Sequence, residues 1–175
     1  PNHRPQMGSV RPNVFKKPER IADSWGRIQI EPFDLKPEDI RMKRLDFIPF
    51  SKAGYNIQEA DIIVAGGRGM GSKENFDKLY ELADAIGGVV GATRPLVEKG
   101  WIELPYQVGQ TGKTVSPKLY LAFGISGAIQ HVSGISGADT IVAINNDPNA
   151  EIFQHANYGI VGDCMEVLND MLAHL

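Results

Sequence analysis

From Asp61 onward the chain alternates between two hydrophobic periods. Short apolar, β-branched runs ending in glycine or a small polar residue predict buried parallel strands: DIIVAGG from Asp61, VVGA at 89–92, YLAFGIS at 120–126, TIVAIN at 140–145 and YGIVGD at 158–163. Between them, residues 74–87 place Phe76, Leu79, Tyr80, Leu82, Ala83 and Ile86 at helical spacing before Gly87-Gly88 stops the turn. A short helix running to Lys99, a helix from Gly127, a helical turn at IFQHA and a closing amphipathic helix in CMEVLNDMLAHL complete the alternation. Such a series predicts an α/β fold: a doubly wound, mostly parallel sheet with helices on both faces, Rossmann-like. The pentapeptide GISGA occurs twice, at 124–128 and 134–138, with different flanks, and reads as coincidence rather than repeat.

The first 60 residues read differently. Residues 1–20 hold four prolines and no periodicity, which predicts an extended segment over a surface. Arg27–Phe33 and Met42–Phe50 alternate well enough to predict two strands, with DLKPEDI between them as a turn. Two strands and a proline-rich arm cannot bury enough surface alone, so they need another domain or another chain. Composition sharpens the split. Residues 1–60 carry 7 of the 11 prolines, 3 of the 19 glycines, and 11 Lys/Arg against 8 Asp/Glu; the rest carries 16 glycines and 7 Lys/Arg against 13 Asp/Glu. The expected division is residues 1–50 as a segment that is not self-contained and 51–175 as a ligand-binding domain.

Charge and cysteine count narrow the chemistry. A net charge of -3 gives no reason to expect nucleic acid, and no run is long enough to predict a membrane span. One cysteine, Cys164, excludes an internal disulfide, a CxxC pair and a cysteine-based zinc site, and no cluster has metal-ligand spacing. Ligands of parallel sheets lie beyond the carboxyl ends of the strands. There the chain places Gly67-Arg68-Gly69, Thr93-Arg94, Ser126-Gly127, Asn145-Asn146-Asp147 and Gly162-Asp163. The Ser126-Gly127 junction suits a phosphate, and Asn145 and Asp163 suit ribose hydroxyls or an adenine edge; each position also suits a plain turn or helix cap. Two phosphate motifs fail. Gly67-Arg-Gly69-Met-Gly71-Ser72 lacks the third glycine of the dinucleotide fingerprint, and no acidic residue ends the second strand. VGQTGKT at 108–114 lacks the first glycine of a P-loop. Ser126 and His131 sit too close in sequence for a hydrolase pair. Arg68, Arg94, Gln110, Thr111, Lys113 and His131 leave a site rich in donors and cations with no evident base, suited to an anionic cofactor that carries its own chemistry.

The stretches GGRGMGSKENF, GATRPLVEKGW, QVGQTGKTVSPKLYLAFGISGAIQH, TIVAINNDPNAEIF and YGIVGD closely resemble the carboxyl-terminal FAD domain of electron transfer flavoprotein alpha subunits, from about Asp61 to the end. RPQMGSVRP resembles the end of that family's amino-terminal domain, which implies that residues 1–50 are the tail of an otherwise missing amino-terminal domain plus linker and 51–175 the FAD-binding domain. The resemblance implies FAD as cofactor and a beta subunit as heterodimer partner. It implies exchange of electrons with acyl-CoA dehydrogenase-type flavoenzymes or other redox partners, and a cytoplasmic location, or the mitochondrial matrix in a eukaryote. An electron-bifurcating member using NADH and ferredoxin, and a nucleotide-binding scaffold without redox function, remain open alternatives. By motif, the implied cofactor-binding residues are Arg68, Gly69, Thr93, Arg94, Gln107, Val108, Gly109, Gln110, Thr111, Ser126, Gly127, Ala128, Ile129, Gln130, His131, Asn145, Asp163 and Cys164. Arg68 and the Val108–Thr111 loop would meet the flavin, with Arg94 over the ring near N5 and Thr111 bonding the N5 region. His131 would face the N1/C2 carbonyl, Ser126 to His131 would line the pyrophosphate and flavin edge, and Asn145 and Asp163 would hold the adenosine end. Thr93-Arg94 stands where the family more often has Ser-Arg, which keeps the hydroxyl. On its own residue grounds Cys164 reads as a small buried apolar side chain.

Overall fold

The computed structural model describes residues 4–10, 19–22, 25–46 and 56–175. Contacts divide the chain into two units, Lys16–Gly54 and the remainder.

The larger unit is built on five strands: β1 (Ile62–Gly66), β2 (Val89–Ala92), β3 (Leu119–Phe123), β4 (Thr140–Asn145) and β5 (Tyr158–Val161). All pair in parallel, in the order β2-β1-β3-β4-β5. Register aligns Ile63, Tyr120 and Ile141 in one row and Ala65, Ala122 and Ala143 two residues on. Because side chains alternate along a strand, these rows face one core while Val64, Leu121, Phe123 and Ile144 face the other. The first core is completed by Ile57, Val108, Val115, Val132 and Ile152, the second by helices α1 (Lys73–Ile86), α2 (Arg94–Glu98) and α4 (Cys164–Ala173). Helix α3 (Ile129–Val132) is a single turn on the first face. The expected α/β sheet covered on both faces is therefore formed, and it is wholly parallel.

Local chemistry sets the helix ends. Ser72 caps α1, its Oγ accepting from the Asn75 N–H at 3.2 Å, and Gly87 ends it with φ +69°. Phe76, Leu79, Leu82 and Ala83 are buried, as their spacing predicts. Asp163 caps α4 by accepting from the Met165 and Glu166 N–H groups. The helical turn expected at IFQHA is a 3-10 turn, Glu151–Gln154, that begins one residue earlier.

In the smaller unit, the described residues hold one 3-10 turn, Pro37–Asp39, inside the DLKPEDI segment predicted as a turn. The strand expected at Arg27–Phe33 is not formed, nor is the one expected at Met42–Phe50 over its described part, Met42–Asp46; Phe47–Phe50 lie outside the described residues. Ile28 and Ile30 are 90% and 86% exposed. Alternation alone does not make a strand, because a lone extended segment has no ladder to join and no surface to bury against.

Candidate functional site

The chain passes from β1 outward to β2, then returns past β1 to β3, so the direction of winding reverses between β1 and β3. In open parallel sheets the crevice beyond the carboxyl ends at such a reversal is where ligands lie. A cleft of about 960 Å³ opens there, at the upper end of the ~300–1,000 Å³ usual for small-molecule sites.

Five segments wall the cleft. Gly67-Arg68-Gly69 follows β1, and its backbone is sewn to the end of β3 by Gly67 N–H to the Phe123 carbonyl and Gly69 N–H to the Gly124 carbonyl, both 2.9 Å. Thr93-Arg94-Pro95 follows β2. Thr93 stands at the N-cap of α2, yet its hydroxyl makes no cap hydrogen bond, which leaves it for the cleft. Arg94 is 63% exposed, and its Nε donates to the Glu98 carboxylate at 2.7 Å.

The loop from Gln107 to Lys113 forms the third wall. Gln107 is buried, and its amide donates to Thr111 Oγ1 at 3.0 Å, so the Thr111 hydroxyl keeps its own proton for another acceptor. The loop is tied to α3 by the Gln110 N–H, which donates to the Gln130 carbonyl at 2.6 Å.

The fourth wall runs from Gly124 to His131. A helix was expected from Gly127, but α3 starts at Ile129 and lasts one turn, too short for a sizeable dipole. What remains is an open loop: among the described residues, no backbone acceptor meets the N–H groups of Ser126, Gly127 or Ala128. Gly127 has φ +92°, and a Cβ there would lie 2.1 Å from the Ile152 nitrogen. Asn145, Asp147 and Asn149–Glu151 close the far end. Asn145 is 9% exposed; its Nδ2 donates to the Ile125 carbonyl and its Oδ1 accepts from the Asp147 N–H, both at 2.9 Å. The charged groups facing the cleft are thus Arg68 and Arg94 beyond β1 and β2, and Asp147 and Glu151 beyond β4.

Of the residues named from the sequence, Arg68, Gly69, Thr93, Arg94, Gln107, Val108, Gly109, Thr111, Ser126, Ala128, Gln130, His131 and Asn145 line this one cleft. Gln110, Gly127, Ile129, Asp163 and Cys164 are not among its lining residues. Gln110 and Gly127 act through backbone, and the Ile129 side chain is 66% exposed. Asp163 spends its carboxylate on the α4 cap. Cys164 is buried, its Sγ 3.5 Å from the Ile144 carbonyl, and burial pushes the thiol pKa up. His131 is 6% exposed with both ring nitrogens engaged, Nδ1 3.1 Å from the Val108 carbonyl and Nε2 3.0 Å from the Tyr120 hydroxyl. Burial lowers its pKa to about 4 against the opposing pull of the Val108 carbonyl. The sequence reading passed over Pro95 and the Asn149–Glu151 stretch; the DPNA turn directly after β4 was the available signal. Among the described residues no cluster of His, Cys, Asp and Glu has metal-binding geometry, and no helix is long and apolar enough to cross a membrane.

The polar groups fit FAD: two guanidinium groups and a hydroxyl at one end, open backbone N–H groups for phosphate in the middle, and the acceptor carboxylates of Asp147 and Glu151 at the other. Comparison with known proteins agrees. Residues 56–136 match the electron transfer flavoprotein FAD-binding domain family. The chain is 53% identical over 168 residues to electron transfer flavoprotein subunit alpha of Thermoanaerobacterium thermosaccharolyticum, covering 96% of this chain and 51% of that one. It is 51% identical over 170 residues to the same subunit of Megasphaera elsdenii, covering 96% and 50%, and 53% identical over 175 residues to protein FixB of Clostridium saccharobutylicum, covering 99% and 52%. The chain spans about half the length of these relatives. Over residues 56–136 the chain thus matches the electron transfer flavoprotein FAD-binding domain family, a match that supports FAD as the cofactor.

Proposed function

We propose that the cleft between the ends of β1 and β3 holds FAD, and that the chain is the FAD-carrying portion of an electron transfer flavoprotein alpha subunit. The single observation behind this reading is the polarity of the cleft, cationic beyond β1 and β2 and acidic beyond β4, at the reversal of the sheet. Arg68, Arg94 and Thr111 would hold the flavin end, Ser126–Ala128 the phosphates, and Asn145 and Asp147 would stand at the adenosine end. Bound FAD supplies the reversible one-electron chemistry. The chain binds and orients: Arg68 and Arg94 offset negative charge, Thr111 presents a hydroxyl proton held outward by Gln107, and the loops beyond β1 and β3 exclude water from one face. In the assembled protein this unit pairs with a beta subunit as a heterodimer in the cytoplasm, accepts electrons from flavoprotein dehydrogenases and passes them to a downstream acceptor. Titrating the purified chain with FAD, NAD⁺ and AMP while following flavin fluorescence and heat tests the reading. FAD should bind one to one and more tightly than either competitor. Tighter binding of NAD⁺ with no response to FAD would overturn it.

A further inference from the structure

The pentapeptide GISGA, at 124–128 and again at 134–138, makes corresponding contacts that its differing flanks conceal. The two copies do not share a backbone conformation: Gly124 is left-handed, φ +61°, and Gly134 is not. In each, the leading glycine and the isoleucine are buried while the serine is exposed, and Ile125 and Ile135 enter the same core. In each, the bare Cα of the leading glycine lies against the backbone of another glycine in a wall of the cleft. A Cβ at Gly124 would stand 2.7 Å from the Gly69 Cα, in the loop after β1. A Cβ at Gly134 would stand 2.5 Å from the Gly109 Cα and 2.6 Å from the Gly109 nitrogen, in the loop that carries Thr111. Carbon atoms settle at ~3.5–4 Å, so a methyl group at Gly134 needs about 1 Å more room, and the atoms it meets are backbone. The fourth glycines part company. A Cβ at Gly127 meets the Ile152 backbone, whereas one at Gly137 meets the Ser116 side chain, which can turn aside.

Two backbone hydrogen bonds flank the second contact. The Gln110 N–H donates to the Gln130 carbonyl at 2.6 Å, and the Val115 N–H donates to the Gly134 carbonyl at 2.8 Å. Thr111 lies between these anchors. If the turn after α3 stood off from Gly109 by a methyl group, the anchors could not both keep their lengths, and the Thr111 hydroxyl would move with them. We infer that Gly134 is a positioning residue for the cleft: although it is not among the lining residues, it seats the Gly109 backbone on the turn after α3 and thereby places Thr111, as Gly124 seats Gly69 beyond β1. The seat is a property of the chain itself, and its consequence for a ligand rests on the FAD reading proposed above.

Gly134→Ala tests this against Gly137→Ala, which adds the same methyl group to the same pentapeptide where a side chain can yield. Amide hydrogen exchange in the ligand-free chain reads the seat. Loosening a flanking bond should speed exchange at Gln110 or Val115 about fivefold in Gly134→Ala, with the β4 amides unchanged and Gly137→Ala like the unmodified chain. Uniform acceleration across the sheet, or none at either amide, overturns the seat. FAD titration reads the consequence. Gly134→Ala should bind FAD about fivefold more weakly than Gly137→Ala. Thr111→Val should cost less affinity in the Gly134→Ala background than in the Gly137→Ala background, because both changes act on the same hydroxyl. Faster exchange with unaltered FAD affinity, or equal costs of Thr111→Val in the two backgrounds, overturns the positioning role. An unmodified chain that takes up no FAD overturns the FAD reading alone, and exchange still decides the seat. Should Gly134→Ala fail to fold, a proton Overhauser contact between the α-hydrogens of Gly109 and Gly134 in the unmodified chain decides, and its absence overturns the seat.

Discussion

The close approach of two loops at Gly127 can be separated from its backbone conformation by comparing it with Gly87. Both glycines have left-handed φ, +92° and +69°. A Cβ at Gly87 meets nothing within 4 Å, whereas at Gly127 it lies 2.1 Å from the Ile152 nitrogen, 2.5 Å from its Cα and 2.7 Å from the Glu151 carbonyl carbon. All three are backbone atoms that no rotamer change can move. Gly87→Ala therefore bears only the left-handed penalty, ~1–2 kcal/mol, less the ~0.4–1 kcal/mol gained by restricting the unfolded chain: about 0.5–1 kcal/mol net. Gly127→Ala bears the same and must also push the Glu151–Ile152 backbone away. That retreat breaks the Ile152 N–H bond to the Ser126 carbonyl, 3.0 Å long, and shifts the fully buried Ile152 side chain. A lost buried hydrogen bond costs ~1–3 kcal/mol and overpacking a further ~1–3 kcal/mol, so the expected total is about 2.5–7 kcal/mol. Urea unfolding followed by circular dichroism measures both. The Gly127→Ala midpoint should fall well below that of Gly87→Ala, at similar slope. Costs equal to within about 0.5 kcal/mol would refute the claim that packing against Ile152 holds this loop. In the FAD titration, Gly127→Ala should also bind more weakly than Gly87→Ala, because the Ser126–Ala128 loop moves.

Three further outcomes are expected. Burial lowers the His131 pKa to about 4, so between pH ~6.5 and about 4 the unfolded chain takes up a proton that the folded chain does not. Stability should fall with decreasing pH across that window, by up to ~1.4 kcal/mol per unit, and that part of the slope should vanish in His131→Gln; a slope identical in both proteins contradicts the assignment. Thr111→Val leaves the buried Gln107 amide without its acceptor and should cost ~1–2 kcal/mol in urea unfolding, where Gln107→Leu in the same background should recover part of the loss. In the FAD-loaded complex, Arg94→Ala should lower the one-electron flavin potential by only ~20–40 mV, since a half-exposed paired cation contributes ~0.5–1 kcal/mol at ~59 mV per 1.4 kcal/mol. Glu98→Gln should shift the potential the opposite way, and redox titration showing no change in either variant would remove Arg94 from the site's electrostatics.

Strands and helices were legible in the sequence because their causes are local. VVGA and TIVAIN match β2 and β4 residue for residue, and between its Ser72 and Gly87 caps α1 begins one residue before the predicted start. Glycine and small polar residues at the strand ends pointed to a site because a parallel sheet gathers those ends on one edge. Tertiary structure decided the rest. The order β2-β1-β3-β4-β5, which makes β1 and β3 neighbours and so creates the cleft, depends on pairings 57 residues apart, such as Ile63 with Tyr120, that no local period encodes. Asp163 and Asn145 looked alike as strand-end polar residues, yet one caps a helix outside the cleft and the other is spent on loop backbone within it. The alternation at Arg27–Phe33 was a strand signal too, but without a paired neighbour it formed no strand. His131 shows the division most sharply. Its residue type promised a proton near neutral pH, and only the fold, by setting Tyr120 on one nitrogen and the Val108 carbonyl on the other in a buried place, took that proton chemistry away.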